Sequence, residues 1–148
     1  MACFLKARKE WSYVTDKTSG VKYPVIGVAI ENPVTGKVFP DEGEILASVD
    51  TGYEGFLLIP ERVYNDMGFT LAEMEKDCWA VGETITGQEI ELITAYATIK
   101  IPALKIEIKG QVETFKGNNE FIAGLSLLER LRVLLDGPRK KLVVLGVR

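Results

Sequence analysis

The apolar residues of this chain fall in short, β-branched runs cut apart by glycine, proline, asparagine and aspartate, and helical spacing never persists beyond a couple of turns. Such punctuation confines the chain to sheet-rich folds, because a short apolar run bounded by turn formers suits a strand, whereas an amphipathic helix needs a longer 3.6-residue period. The run from Pro24 to Ile30 predicts a buried strand, and Asn32-Pro-Val-Thr-Gly-Lys37 predicts a hairpin connection. A second strand is expected over Glu44–Val49, ending at Asp50-Thr51-Gly52, and a third over Gly55–Ile59. Pro60 then opens a short helix that Gly68 stops, since proline's missing N–H costs nothing in a first helical turn.

Beyond this helix, Trp79–Ile85 and Gln88–Ile101 predict a hairpin turning at Thr86-Gly87. Leu104–Ile108 alternates as a strand, Gly110 is expected to break it, and Val112–Phe115 resumes. Phe121-Ile-Ala-Gly124 reads as a short strand leading into a helix over Leu125–Leu131. Val133–Leu135 and Lys141–Leu145 flank the turn Asp136-Gly-Pro-Arg139 as a final hairpin. Many short strands and two short helices make the class mainly β.

At 148 residues, with 47% hydrophobic and 26% charged side chains, the chain suits one core. Residues 1–22 read as a polar, slightly basic N-terminal arm or poorly ordered tail, and residues 23–148 as the domain. The formal charge of −3 gives no electrostatic grip on phosphate, so nucleic acid is not an expected partner. Nothing resembles a signal peptide or reaches the roughly 18–20 apolar residues of a spanning helix, so no membrane partner is expected and the cytoplasm is the expected compartment.

Histidine is absent, which removes Ser-His-Asp and Cys-His catalysis and most zinc sites. Cys3 and Cys78 are too few for a disulfide framework or zinc ribbon and are expected to be inert, buried, reduced thiols. No metal and no cofactor is expected. Acid–base work therefore falls to carboxylates, lysine, tyrosine or water.

Two local strings are set aside. Asp16-Lys-Thr-Ser-Gly20 has Ser where a phospho-aspartate loop has glycine, and Gly36-Lys37 lacks both the upstream glycine and the following hydroxyl of a phosphate-binding loop. Asp50-Thr51-Gly52 says little as a bare tripeptide. Its setting says more, because it ends an apolar strand, precedes another strand and a helix, and is echoed downstream by Phe121–Gly124 and a second helix.

This arrangement resembles the retropepsin-like aspartic proteases, over roughly residues 23–145. The specific strings are Ser48-Val-Asp-Thr-Gly52, Phe56-Leu-Leu-Ile-Pro60 and Phe121-Ile-Ala-Gly-Leu-Ser-Leu-Leu128. The resemblance implies a closed β-barrel with a flap hairpin and two short helices. It implies that Asp50 is the catalytic carboxylate, that Thr51 stiffens the paired loops across a dimer, and that Gly52 permits the close turn. Ile122 and Gly124 would pack behind the active-site loop. Tyr53 and Glu54 stand where retroviral members usually carry a small residue and would shape the substrate site. Flap duty falls to Thr86 and Gly87, with Gly82 as a second candidate, and the final strand Leu142–Leu145 would interleave between protomers.

Aspartic protease chemistry places one water between two carboxylates that share a proton. With one Asp-Thr-Gly per chain, the expected active unit is a symmetric homodimer with one Asp50 from each copy at the twofold axis, cutting peptide or unfolded protein without a cofactor. Two alternatives stand beside it: a dimer of the same fold that binds or scaffolds peptides with little hydrolysis, and a small barrel with an unrelated ligand.

Overall fold

The computed structural model describes residues 5–147. In chain order the strands and helices are β1 (Leu5–Ser12), β2 (Val14–Thr15), β3 (Lys22–Tyr23), β4 (Val25–Glu31), β5 (Val38–Phe39), β6 (Ile45–Val49), β7 (Leu57–Leu58) and α1 (Glu61–Asp66). They continue with β8 (Ala80–Glu83), β9 (Glu89–Ile101), β10 (Ile106–Thr114), β11 (Ile122–Ala123), α2 (Leu125–Leu128), β12 (Val133–Asp136) and β13 (Lys141–Val147). The protein is mainly β, as its punctuated apolar runs require.

The large sheet closes on itself. Its order is β5-β4-β6-β11-β7-β10-β9-β8, and β4 also pairs with β9, so β4, β6, β11, β7, β10 and β9 form a ring that removes most open edges. β4 is buried along nearly its whole length, and Trp11 of β1 joins the same core cluster. That explains a run of consecutive apolar residues where a half-exposed strand would alternate. Phe69, Ile26, Ile30 and Leu57 have no exposed surface. Burial of each such side chain stabilises the fold by roughly 1.5–3 kcal/mol.

Several expectations change. Residues 5–12 are not a loose arm: β1 pairs antiparallel with β13, and Trp11, 6% exposed, joins the core while its indole N–H donates to Glu44 Oε2 at 2.9 Å. The lysines and arginine that made this segment look polar belong largely to its solvent side. Gly110 does not break a strand, because β10 runs through it. A Cβ there would lie 2.8 Å from the Phe56 ring, so the glycine makes room for an aromatic side chain. Leu104 is in a 3-10 turn, Pro102–Leu104, before β10 begins.

Another change concerns the C-terminus. β13 is the central strand of a sheet ordered β1-β13-β12, so both its edges are paired within the chain. Leu142–Leu145 has no edge to offer a second copy, and the free edge on the β12 side belongs to Val133–Asp136. Cys78, expected to be buried, is exposed, and Cys3 lies outside the described residues. Among those residues no helix is long and apolar enough to cross a membrane.

Candidate active site

β6 delivers Asp50. It runs parallel to β11, Ser48 opposite Ile122 and Val49 opposite Ala123, and the Asp50 N–H continues the ladder onto the Ala123 carbonyl at 3.0 Å. The turn then closes locally: the Gly52 N–H donates to Asp50 Oδ1 at 2.8 Å and the Tyr53 N–H to the Asp50 carbonyl at 3.2 Å. Asp50, Thr51 and Gly52 are all exposed. One carboxylate oxygen is thus held by its own loop while the group as a whole faces solvent.

The downstream motif packs behind this loop. The Leu125 N–H donates to the Tyr53 carbonyl at 2.8 Å, the Gly124 N–H to the Phe56 carbonyl at 3.0 Å, and the Ser126 N–H reaches the Glu54 carbonyl at 3.2 Å. A Cβ on Gly124 would overlap the Gly55 carbonyl oxygen and come within 2.6 Å of Tyr53, so only glycine lets the two segments approach this closely. Ile122 sits in β11 against both β6 and β7.

Tyr53 is turned inward. Its ring packs over Gly55 and Gly124, and its hydroxyl donates to Glu113 Oε1 on β10. Burial, then the charge and hydrogen bond of Glu113, push the tyrosine pKa far upward, so Tyr53 stays a donor. Glu113 is 5% exposed, and burial raises its pKa above the ordinary glutamate value against the opposing hydrogen bond from Tyr53 and a longer contact with Thr94. Thr94 lies directly opposite Glu113 in the β9–β10 ladder. Its hydroxyl donates to the Leu92 carbonyl at 2.9 Å and lies 3.5 Å from Glu113 Oε2, while the Ala80 N–H reaches it at 3.4 Å. A polar path therefore links the Asp50 loop to the base of the β8–β9 hairpin.

In front of these groups lies a cleft of ≈ 720 Å³. Asp50, Gly52, Tyr53 and Glu54 line it, together with Gly82 and Glu83 of β8 and Glu113. Thr86 and Gly87 do not. They form the exposed tip of the β8–β9 hairpin, where Gly87 takes φ 83° and Ile85 is wholly in solvent. Nothing in the sequence marks Glu113, because one acid in a short strand reads as solvent-facing. Gln111, Thr94, Met74 and Cys78 also line the cleft without a warning in the sequence.

No family model matches the chain. It is 35% identical over 113 residues to an uncharacterized protein of Archaeoglobus fulgidus, covering 76% of this chain and 86% of that one. Among solved structures, a retropepsin-like aspartic protease from Rickettsia conorii superposes with a TM-score of 0.52 at 14% identity, covering 100% of this chain and 97% of the other. EIAV protease bound to an inhibitor gives a TM-score of 0.48 at 18% identity, covering 79% and 93%. The chain belongs to one family with the Archaeoglobus fulgidus protein, and its fold is the retropepsin-like fold.

Proposed function

We propose that the protein is an aspartic endopeptidase that works as a symmetric homodimer. The observation that carries this reading is the placement of Asp50: an exposed carboxylate in a turn braced by β11 and α2, at a cleft beside the β8–β9 hairpin, in a retropepsin-like barrel. One carboxylate cannot both accept the proton of the attacking water and donate to the developing oxyanion, so the second comes from another copy. Two carboxylates at close range share one proton: the ionised one is the base, and the protonated one donates to the carbonyl oxygen of the peptide.

A surface suited to that second copy adjoins the loop. Thr51 lines a groove otherwise made of Val49, Leu125, Leu128, Glu129, Leu131, Val133 and Leu135, and it runs beside the free edge of β12. Leu134 and Leu135 are 47% and 49% exposed, an arrangement that favours covering by another chain. The substrate is an extended peptide or unfolded protein lying against the hairpin, where β8 is an edge strand.

The competing reading, a dimer that binds peptides without cutting them, draws on Tyr53 and Glu54. The inward fold of the Tyr53 ring onto Gly55 and Gly124 supports hydrolysis, because Asp50 keeps its exposure. Asp50→Asn is the deciding variant. Loss of cleavage of an unfolded protein, with dimerisation and thermal unfolding unchanged, is the expected result. Equal cleavage by both chains removes the assignment.

A further inference from the structure

The cleft carries one sign of charge. Asp50, Glu54, Glu83 and Glu113 line it, with neither lysine nor arginine among the lining residues. The first three are exposed, whereas Glu113 lies deep at 5% exposure. A cleft walled by low-dielectric protein and acids of one sign focuses a negative potential.

Glu113 is also incompletely served. A carboxylate has about four acceptor positions. Oε1 takes the Tyr53 hydroxyl, and among the described residues Oε2 has one hydrogen-bond partner, Thr94 Oγ1 at 3.5 Å. Thr94 has a single hydroxyl hydrogen, and the Leu92 carbonyl at 2.9 Å is its better acceptor. Oε2 therefore has only this one long contact, in a side chain that is 5% exposed and lines the cleft, so a closer donor there would be favourable. Gly55 contributes by omission, since a Cβ there would overlap Glu113 Oε1.

We infer that this part of the cleft is a subsite for a cationic side chain, the ammonium or guanidinium of a lysine or arginine in the bound peptide, with Glu113 Oε2 as acceptor and Glu83 at the rim. The inference takes the cleft as the peptide site of the proposed protease, and it deepens that reading by naming the substrate class. An arriving cation supplies the closer donor and offsets the buried charge. Because burial raises the Glu113 pKa, cation binding also pulls a proton off the fraction of Glu113 that is protonated.

The experiment uses fluorescent peptides alike except for lysine, arginine, norleucine or glutamate at one position, scanned along the peptide. Binding is measured by anisotropy at neutral pH on the Asp50→Asn protein, so that hydrolysis does not enter. Lysine and arginine are expected to bind about tenfold or more tighter than norleucine at one position. Glu113→Gln, whose amide oxygen still accepts from Tyr53, is expected to reduce that ratio to about twofold or less. Glu83→Lys at the exposed rim is a second variant, expected to weaken the lysine peptide selectively. Equal binding of lysine and norleucine at every position overturns the subsite, as does a preference that survives both variants. Cleavage by the unsubstituted chain without a cationic preference leaves the protease reading standing and removes the subsite, while cation-selective binding by a chain that cuts nothing does the reverse.

Discussion

The hydroxyl of Tyr53, next after the Asp50-Thr51-Gly52 turn, donates to the buried carboxylate of Glu113 near the end of β10. Tyr53→Phe keeps the ring that fills the space over Gly55 and Gly124 but leaves Glu113 Oε1 without its donor. A loss of about 1–3 kcal/mol in unfolding free energy is expected from denaturant titration. Combined with Glu113→Gln, the loss should fall short of the sum of the two single effects, since both act on one bond. Strict additivity would show that the two groups are not coupled.

Glu113 also gives stability a sign with pH. Its folded pKa is raised, so between the ordinary glutamate value of 4.5 and the folded value the native state holds more protons than the unfolded chain. Its contribution is complete below the unfolded pKa and declines as pH rises through the raised folded pKa, at up to about 1.4 kcal/mol per pH unit within that window. Glu113→Gln is expected to remove this decline, measured as melting temperature against pH for the two chains. Parallel profiles would mean that Glu113 is solvated.

Gly124 is placed by collision. Its φ of −101° suits any residue, yet a Cβ would overlap the Gly55 carbonyl, a backbone atom that cannot swing aside. Gly124→Ala should cost about 1–3 kcal/mol through overpacking and should displace the Asp50 loop with it. Gly137→Ala is the comparison, because nothing lies within 4 Å of a Cβ there. Equal melting temperatures for the two variants would place the β11 turn farther from the loop than the geometry has it.

The strands were legible wherever their apolar runs were short and bounded by turn residues, as in β4, β6 and the β8–β9 hairpin, because local patterning and global pairing agree there. The Asp50 turn and the Gly124 turn were legible for the same reason. The determinants of the rest lie across the fold. Gly110 owes its identity to Phe56, and Trp11 is buried because β13 and Glu44 reach it from far along the chain. Glu113 follows Val112 in a stretch of β10 where three consecutive residues are buried, and no neighbour in sequence tells that its side chain meets Tyr53 and Thr94.

Assembly supplies the last expectation. Leu135 is half exposed in a groove that also contains Thr51, and β12, which carries it, has one edge unpaired within the chain. A charge there leaves the folded protomer almost unaffected, since surface substitutions usually stay within about 0.5 kcal/mol, but it places an ammonium in the proposed contact between copies. Leu135→Lys should therefore shift the monomer–dimer equilibrium toward monomer in sedimentation experiments. Peptide cleavage should fall with it and recover as protein concentration rises, because the missing element is a second Asp50 and not a damaged one. Val34→Lys, equally conspicuous at 62% exposure but in the loop between β4 and β5, should leave both measurements unchanged. If Leu135→Lys and Val34→Lys behave alike, the second carboxylate approaches by another face.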